Sequence, residues 1–570
     1  MVFDASGAWP GWGLLKTAVT VGLAVLVYKL IVFTLRIRSL YKALESCPQL
    51  DRENFSWIHG NLHKLPADGE ARLQFFEKLR NLSNGGDKMT IFWVGPFTPR
   101  IILHHPDTMK EVFHTADPKP IGFMGAYNLV LPWLGEGLLL SGGPRWARSR
   151  RLLTPAFHFE ILRSYISVFN DGSRQFLANI DSYADSGKSF ELFGPVSLCA
   201  LDVLLRCALS QETNCQVSKE TVPYVTAVNE MATLVLQRTR TIWMYSDFLF
   251  GLSNTGKKFL RHCDYVHKFA QDIIRKRKES IKIQGQVNRK YLDFLDILLT
   301  ARDKNGDGLT DIEMQNEVDT FLFAGHDTTT SAISWIIYTL AQHQDYQERV
   351  FLEVEELMTG RGNEEVLWED LNRIPVLTMC IKECMRLHPP VPFIGRLIEE
   401  DRKINGVIIP GGHNITLNIY NLHRNPDLWD KPLEFIPERF SKENITDRDP
   451  FLYTPFAAGP SKARFESAIN DALRRSISRA MYQLENIPEE KSVYWHARFF
   501  REALQTEHSN RKLDAMKDMG HRERVPCSVR QLPRGQKKLR NGDEGTGWNQ
   551  SDRFTEVVMP HGRRTNKIKL

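Results

Sequence analysis

The chain has 570 residues and a mass of 65.7 kDa, with 42% hydrophobic and 25% charged residues, a globular composition that excludes a disordered or collagen-like protein. Its eight cysteines are scattered, with no CxxC and no Cys/His cluster at zinc spacing, which argues against a disulfide scaffold or a structural zinc module. The net charge of +6 is uneven: residues 461–570 carry +9 and residues 1–460 carry −3, so a balanced body argues against nucleic acid as a partner.

From Gly11 to Leu35 the chain is almost wholly apolar, broken only by Lys16 and Lys29. That length predicts a membrane-spanning helix whose lysines reach the headgroups. No basic residue precedes Lys16 and no small-residue cleavage site follows, so an uncleaved anchor is expected rather than a signal peptide. Arg36, Arg38 and Lys42 follow directly and place the remainder on the cytoplasmic side of a single-pass protein. Residues 1–44 are thus assigned to the anchor and its basic stop, 45–460 to the body, and 461–570 to a divergent basic tail.

Within the body, Thr90–Val94 and Arg100–Leu103 predict a strand pair around Gly95-Pro96, and strand-like pieces return between Arg396 and Asn418. The rest has helical periodicity, so the fold class is mainly α with small β-sheets. Trp146 and Arg150 lie four apart on one helix face. Thr310-Asp311-Ile312-Glu313 is a capping box, and the helix it opens runs to about Gln342. Weak helix formers, Gly325 to Ser331, occupy its middle and predict a kink of functional origin. Glu383 and Arg386 sit three apart just before His388-Pro389-Pro390. Asp303 to Gly308 begins like a calcium loop, but the twelfth position is Met314 instead of the required Glu, so a turn is expected.

Together these pieces resemble the cytochromes P450, the haem-thiolate monooxygenases, and specifically their family 4. Trp146 to Arg150 is similar to the haem-propionate motif WxxxR, and Glu317 to Thr329 (EVDTFLFAGHDTT) to the family 4 signature of the oxygen-binding helix. Glu383 and Arg386 match ExxR, Arg439 stands in the PERF motif, and Arg396 matches a strand arginine that pairs with a propionate. The resemblance implies a membrane-anchored P450 fold in the endoplasmic reticulum. It also implies haem as cofactor, NADPH electrons from a flavoprotein reductase, and lipid substrates hydroxylated near the ω end. Asp327 and Thr328 would be catalytic, organising water and protons. Trp146, Arg150 and Arg396 would hold the propionates, Ala324 and Gly325 would border the cofactor, and Glu383, Arg386 and Arg439 would be structural.

Two departures accompany the resemblance. Ala324 replaces the glutamate that can be ester-linked to haem in family 4, which excludes covalent attachment there. The haem loop starts correctly at Pro455 to Pro460, but Ser461 stands at the arginine position and Ala463 at that of the axial cysteine. A methyl group cannot ligate iron, and the thiolate favours O–O cleavage. No residue is therefore assigned as metal ligand; Cys527, the one cysteine after Cys384, lies in a polar segment without the glycines of a haem loop. The tail is expected to be partly helical, with Phe465, Ile469, Leu473, Ile477, Met481 and Leu484 at helical spacing, and then disordered. Two readings stay open: a monooxygenase lineage whose present chain is impaired, or a non-catalytic membrane-anchored product of an alternative or mispredicted transcript.

Overall fold

The computed structural model describes residues 11–458, apart from 46, 50–55, 83–87, 116, 123, 187–189, 219–221, 285–291, 362–364 and 447, together with 495 and 496. Helix α1 (Gly11–Ala43) contains the apolar segment Thr17–Ala43, long and apolar enough to cross a membrane. Its far end belongs to the body. Leu40 and Leu44 are buried, and Tyr41 stacks on Trp93 with centroids 4.5 Å apart and donates to the Pro96 carbonyl at 2.6 Å.

Strands β1 (Met89–Val94) and β2 (Thr98–Leu103) form the expected antiparallel hairpin, Met89 opposite Leu103 and Val94 opposite Thr98. The sheet is completed by β3 (Phe393–Ile398) and, after the small β4 (Arg402–Ile404) and β5 (Val407–Ile409) hairpin, by β6 (His413–Asn418). Its order is β1-β2-β6-β3, with β6 parallel to β2 and antiparallel to β3. A two-residue parallel pairing joins Phe190–Glu191 to Trp495–His496.

Six helices position the site: α2 (Gly143–Leu153), α3 (Phe193–Ala208), α4 (Val222–Arg238), α5 (Asn254–Gln284), α6 (Asp311–Gln342) and α7 (Pro375–Leu387). At the start of α6 the capping box is formed. The Thr310 hydroxyl accepts from the Glu313 N–H at 3.3 Å and the Thr310 N–H donates to the Glu313 carboxylate at 2.9 Å. The first half of α6 is buried in a core with α3, α4 and α5, through Val318 and Leu322 against Leu201, Leu205, Val228 and Val266. The second half is buried in another core, through Ile333, Ile336 and Leu340 against Cys380, Ile381 and Cys384 of α7. Every residue from Met314 to Thr320 is buried, so this part of the helix has no solvent face, which explains its weak amphipathicity.

The weak formers between Gly325 and Ser331 do not break this helix, which is continuous from Asp311 to Gln342. The hydroxyls that compete for the backbone fold back instead: Thr328 donates to the Ala324 carbonyl and Thr330 to that of His326, each at 2.7 Å. Flanking packing outweighs the weak local propensity. Gly325 itself lies under Leu204 of α3, where an added Cβ would meet both leucine methyl carbons at 3.1 Å.

Candidate functional site

The middle turns of α6 bring Ala324, Gly325, Asp327 and Thr328 together, with the Ala324 carbonyl as acceptor of the Thr328 hydroxyl. Asp327 is half-buried, and burial pushes its carboxyl up to about 6. Tyr224 of α4 stands within electrostatic reach; burial first, then Asp319 and Asp327, raise its hydroxyl well above the ordinary tyrosine value. His326, on the opposite side of the turn, is buried with Nε2 at 2.9 Å from the Ser197 hydroxyl, and burial lowers it to about 4.

Arg396 is contributed by β3. Its guanidinium donates to the Gly395 carbonyl at 2.9 Å, and burial lowers its pKa. Lys119 lies beside it, held well below the usual lysine value by burial and then by the Arg396 charge. Its ammonium stands 5.1 Å from the Tyr127 ring centre, and the Tyr127 hydroxyl accepts from the Gly395 N–H at 3.2 Å. Asp117, the carboxylate that acts on Arg396, is itself ion-paired with Arg402. Two adjacent half-buried cations, with that carboxylate already committed, form a donor set suited to an anionic group. Sequence reading missed Lys119 and Tyr127, because neither lies in a local motif and only the fold brings them to Arg396.

Trp146 and Arg150 are half-buried on α2, a different element from β3. The third part of the site is a buried ionic cluster on α7. Arg386 donates to both Glu383 oxygens at 2.7 and 2.8 Å, and to the backbone oxygens of His423, Pro432 and Glu434 at 2.7, 2.7 and 3.1 Å. Arg439 Nε donates to the same carboxylate at 3.3 Å, and the Ile436 N–H donates to it at 2.9 Å. The segment that follows is tied back to this cluster: Tyr453 donates to the Lys382 carbonyl at 3.0 Å, and the Thr454 N–H to His423 Nε2 at 3.0 Å. Ala458 is buried at the end of this segment; Ser461, Ala463 and Cys527 lie outside the described residues. At the calcium-like turn, the Asp303 carboxylate accepts from Arg148 Nε at 2.8 Å and from the N–H groups of Asn305 and Asp307, so its role is to join α2 to the start of α6.

The cytochrome P450 family model matches residues 51–462. This chain belongs to the cytochrome P450 family. Cytochrome P450 4F6 of Rattus norvegicus is 38% identical over 458 residues, covering 79% of this chain and 84% of the relative. Leukotriene-B4 omega-hydroxylase 3 of Mus musculus is 35% identical over 486 residues, covering 84% and 91%. These similarities place the chain with family 4. The crystal structure of the cytochrome P450DA heme domain superposes with a TM-score of 0.62 at 21% identity, over 77% of this chain and 90% of that one, so the fold is that of a P450 haem domain. Haem is the cofactor of the P450 family, with electrons that originate on NADPH. The cation pair Lys119 and Arg396 suits the two propionates of such a group.

Proposed function

We propose that this P450 descends from ω-hydroxylases of long-chain fatty acids or related lipids, and that the present chain is impaired in that reaction. The observation that carries the first half is the joint presence of the Glu383–Arg386–Arg439 cluster, the Thr328–Ala324 hydrogen bond beside a half-buried Asp327, and the half-buried Lys119–Arg396 pair. The mouse relative's name, an omega-hydroxylase of leukotriene B4, supports the lipid class. The observation that carries the second half is Ala463.

Haem, when bound, supplies the iron at which dioxygen is activated. Arg396 and Lys119, with Trp146 and Arg150 of α2, would hold its propionates through charge-assisted hydrogen bonds. Asp327 would hold a proton near neutral pH and pass it toward the Thr328 hydroxyl, since a carboxyl of pKa about 6 both donates and recovers protons there. Glu383, Arg386 and Arg439 position the segment leading to Pro455. The body would face the cytoplasm from the endoplasmic reticulum and take electrons from a flavoprotein reductase. Exposed Trp57, Ile58, Phe97, Trp243 and Phe248 support contact with a membrane surface, since Phe97 packs against Phe33 of α1.

The reduced, carbon-monoxide-bound spectrum of the full chain in membranes tests both halves. A haem band typical of a nitrogen ligand, or a weak one without thiolate character, is the expected result. A thiolate-type Soret band would overturn the impairment and direct attention to Cys527. Restoring the ligand alone, in Ala463→Cys, is expected to give no turnover, because Ser461 also departs from the family's loop. Recovered lipid hydroxylation in that variant would refute this.

A further inference from the structure

Trp146 and Arg150 ride on α2 while Asp327 and Thr328 ride on α6, so the spacing of these two helices must be held by something. The stretch before α2 approaches α6 with bare backbone. Gly135 has a φ of 56°, and a Cβ on Gly137 would come within 2.7 Å of the Asn316 carbonyl oxygen and overlap the Thr320 hydroxyl. Beside this contact lies Glu317, 2% exposed, whose carboxylate accepts from the Leu138 N–H at 2.9 Å and lies within electrostatic reach of the buried Ser149 hydroxyl of α2. One side chain of α6 therefore bonds the loop that leads into α2 and lies beside α2 itself. The surface ties are weaker in kind: Arg148 meets Asp303 and stands 3.5 Å from Glu313, and Arg145 pairs with Glu136 at the edge of a cleft of about 460 Å³ bordered by Gly135, His267 and Asn316.

A buried acid that merely found two donors is the plainer account of Glu317. It explains neither why two glycines lie flush on the same turns nor why the acid reaches two separate elements. We propose that Glu317 is a positioning residue, a latch that fixes the Gly135–Leu138 loop and α2 onto α6 and so keeps the cofactor-facing side chains of both helices at their working separation. The latch itself is read from the Leu138 bond and the close glycine approach; that it serves a cofactor rests on the function proposed above. Burial moves the Glu317 carboxyl up to about 7, against the pull of Leu138, Ser149 and Arg145, with Glu313 one turn away adding to the rise. A folded-state pKa above the ordinary 4.5 favours the folded state at low pH, and that contribution is lost as pH rises through 7.

Hydrogen exchange by mass spectrometry, on the full chain in detergent, tests the latch with or without haem. In Glu317→Ala, peptides covering residues 135–141 and 143–153 are expected to exchange about tenfold faster. Glu317→Gln keeps an acceptor oxygen for Leu138 and Ser149, and is expected to exchange like the wild type while losing the fall in thermal midpoint between pH 5 and 8. Unchanged exchange in Glu317→Ala, or exchange in Glu317→Gln as fast as in the alanine variant, would overturn the proposal. If Glu317→Ala does not accumulate as folded protein, Ser149→Ala decides, with acceleration confined to 143–153 in favour and wild-type rates against. A parallel hemin titration should show weakened uptake in Glu317→Ala and rescue in Glu317→Gln, and equal uptake in both would refute the cofactor role. Absence of hemin uptake by the wild type would instead count against the proposed function, leaving exchange to judge the latch.

Discussion

Arg386 is fully buried with Glu383, and its guanidinium makes five hydrogen bonds that a point-charge ammonium cannot reproduce. Removing one partner of such a pair leaves an uncompensated buried charge, worth about 3–5 kcal/mol. Arg386→Ala is therefore expected to lower the denaturant midpoint steeply, and Arg386→Lys to recover only part of the loss. Asp327 behaves in the opposite sense. Its carboxyl, moved by burial to about 6, is destabilising once ionised, so its contribution is present at low pH and lost as pH rises through that value. Asp327→Asn should therefore melt above the wild type at pH 8 and no higher than it at pH 4. Equal offsets at both pH values would show that the carboxyl is solvated.

At the level of elements, the sequence carries what is local. The capping box at Thr310, the hairpin around Gly95 and the Glu383–Arg386 spacing are each written within a few residues, and each is formed as expected. The weak formers Gly325 to Ser331 do not break α6, because burial of its two halves in two cores outweighs local propensity. Lys119 beside Arg396, and Glu317 against Leu138 and Ser149, join residues far apart in the chain, so no spacing rule could reveal them. The cation pair gives a further test. Without an anion the two charges repel in a desolvated site, so Lys119→Met should raise the thermal midpoint of the haem-free chain and weaken hemin uptake. A lower midpoint in the haem-free variant would show that Lys119 stabilises through packing alone.

For the whole molecule, the boundary between anchor and body falls inside one helix. Leu40, Tyr41 and Leu44 are core residues of the β-sheet region, so a truncated chain beginning at residue 31 should melt like the full chain, whereas one beginning at residue 47 should lose several kcal/mol. Identical melting of the two truncations would mean that the last turns of α1 are dispensable. The apolar segment Thr17–Ala43 has 27 residues, which at ~1.5 Å per residue is ~40 Å, against ~30 Å of hydrocarbon. The excess is taken up by the turns that pack on Trp93 and Pro96, and the helix is continuous from the apolar segment into that contact. Because the two are one unbroken helix, a tilt of the helix is a tilt of the body. Were this helix to span a bilayer, a thicker one would stand it upright and a thinner one would lay it over, and membrane thickness would set the angle at which the body meets lipid.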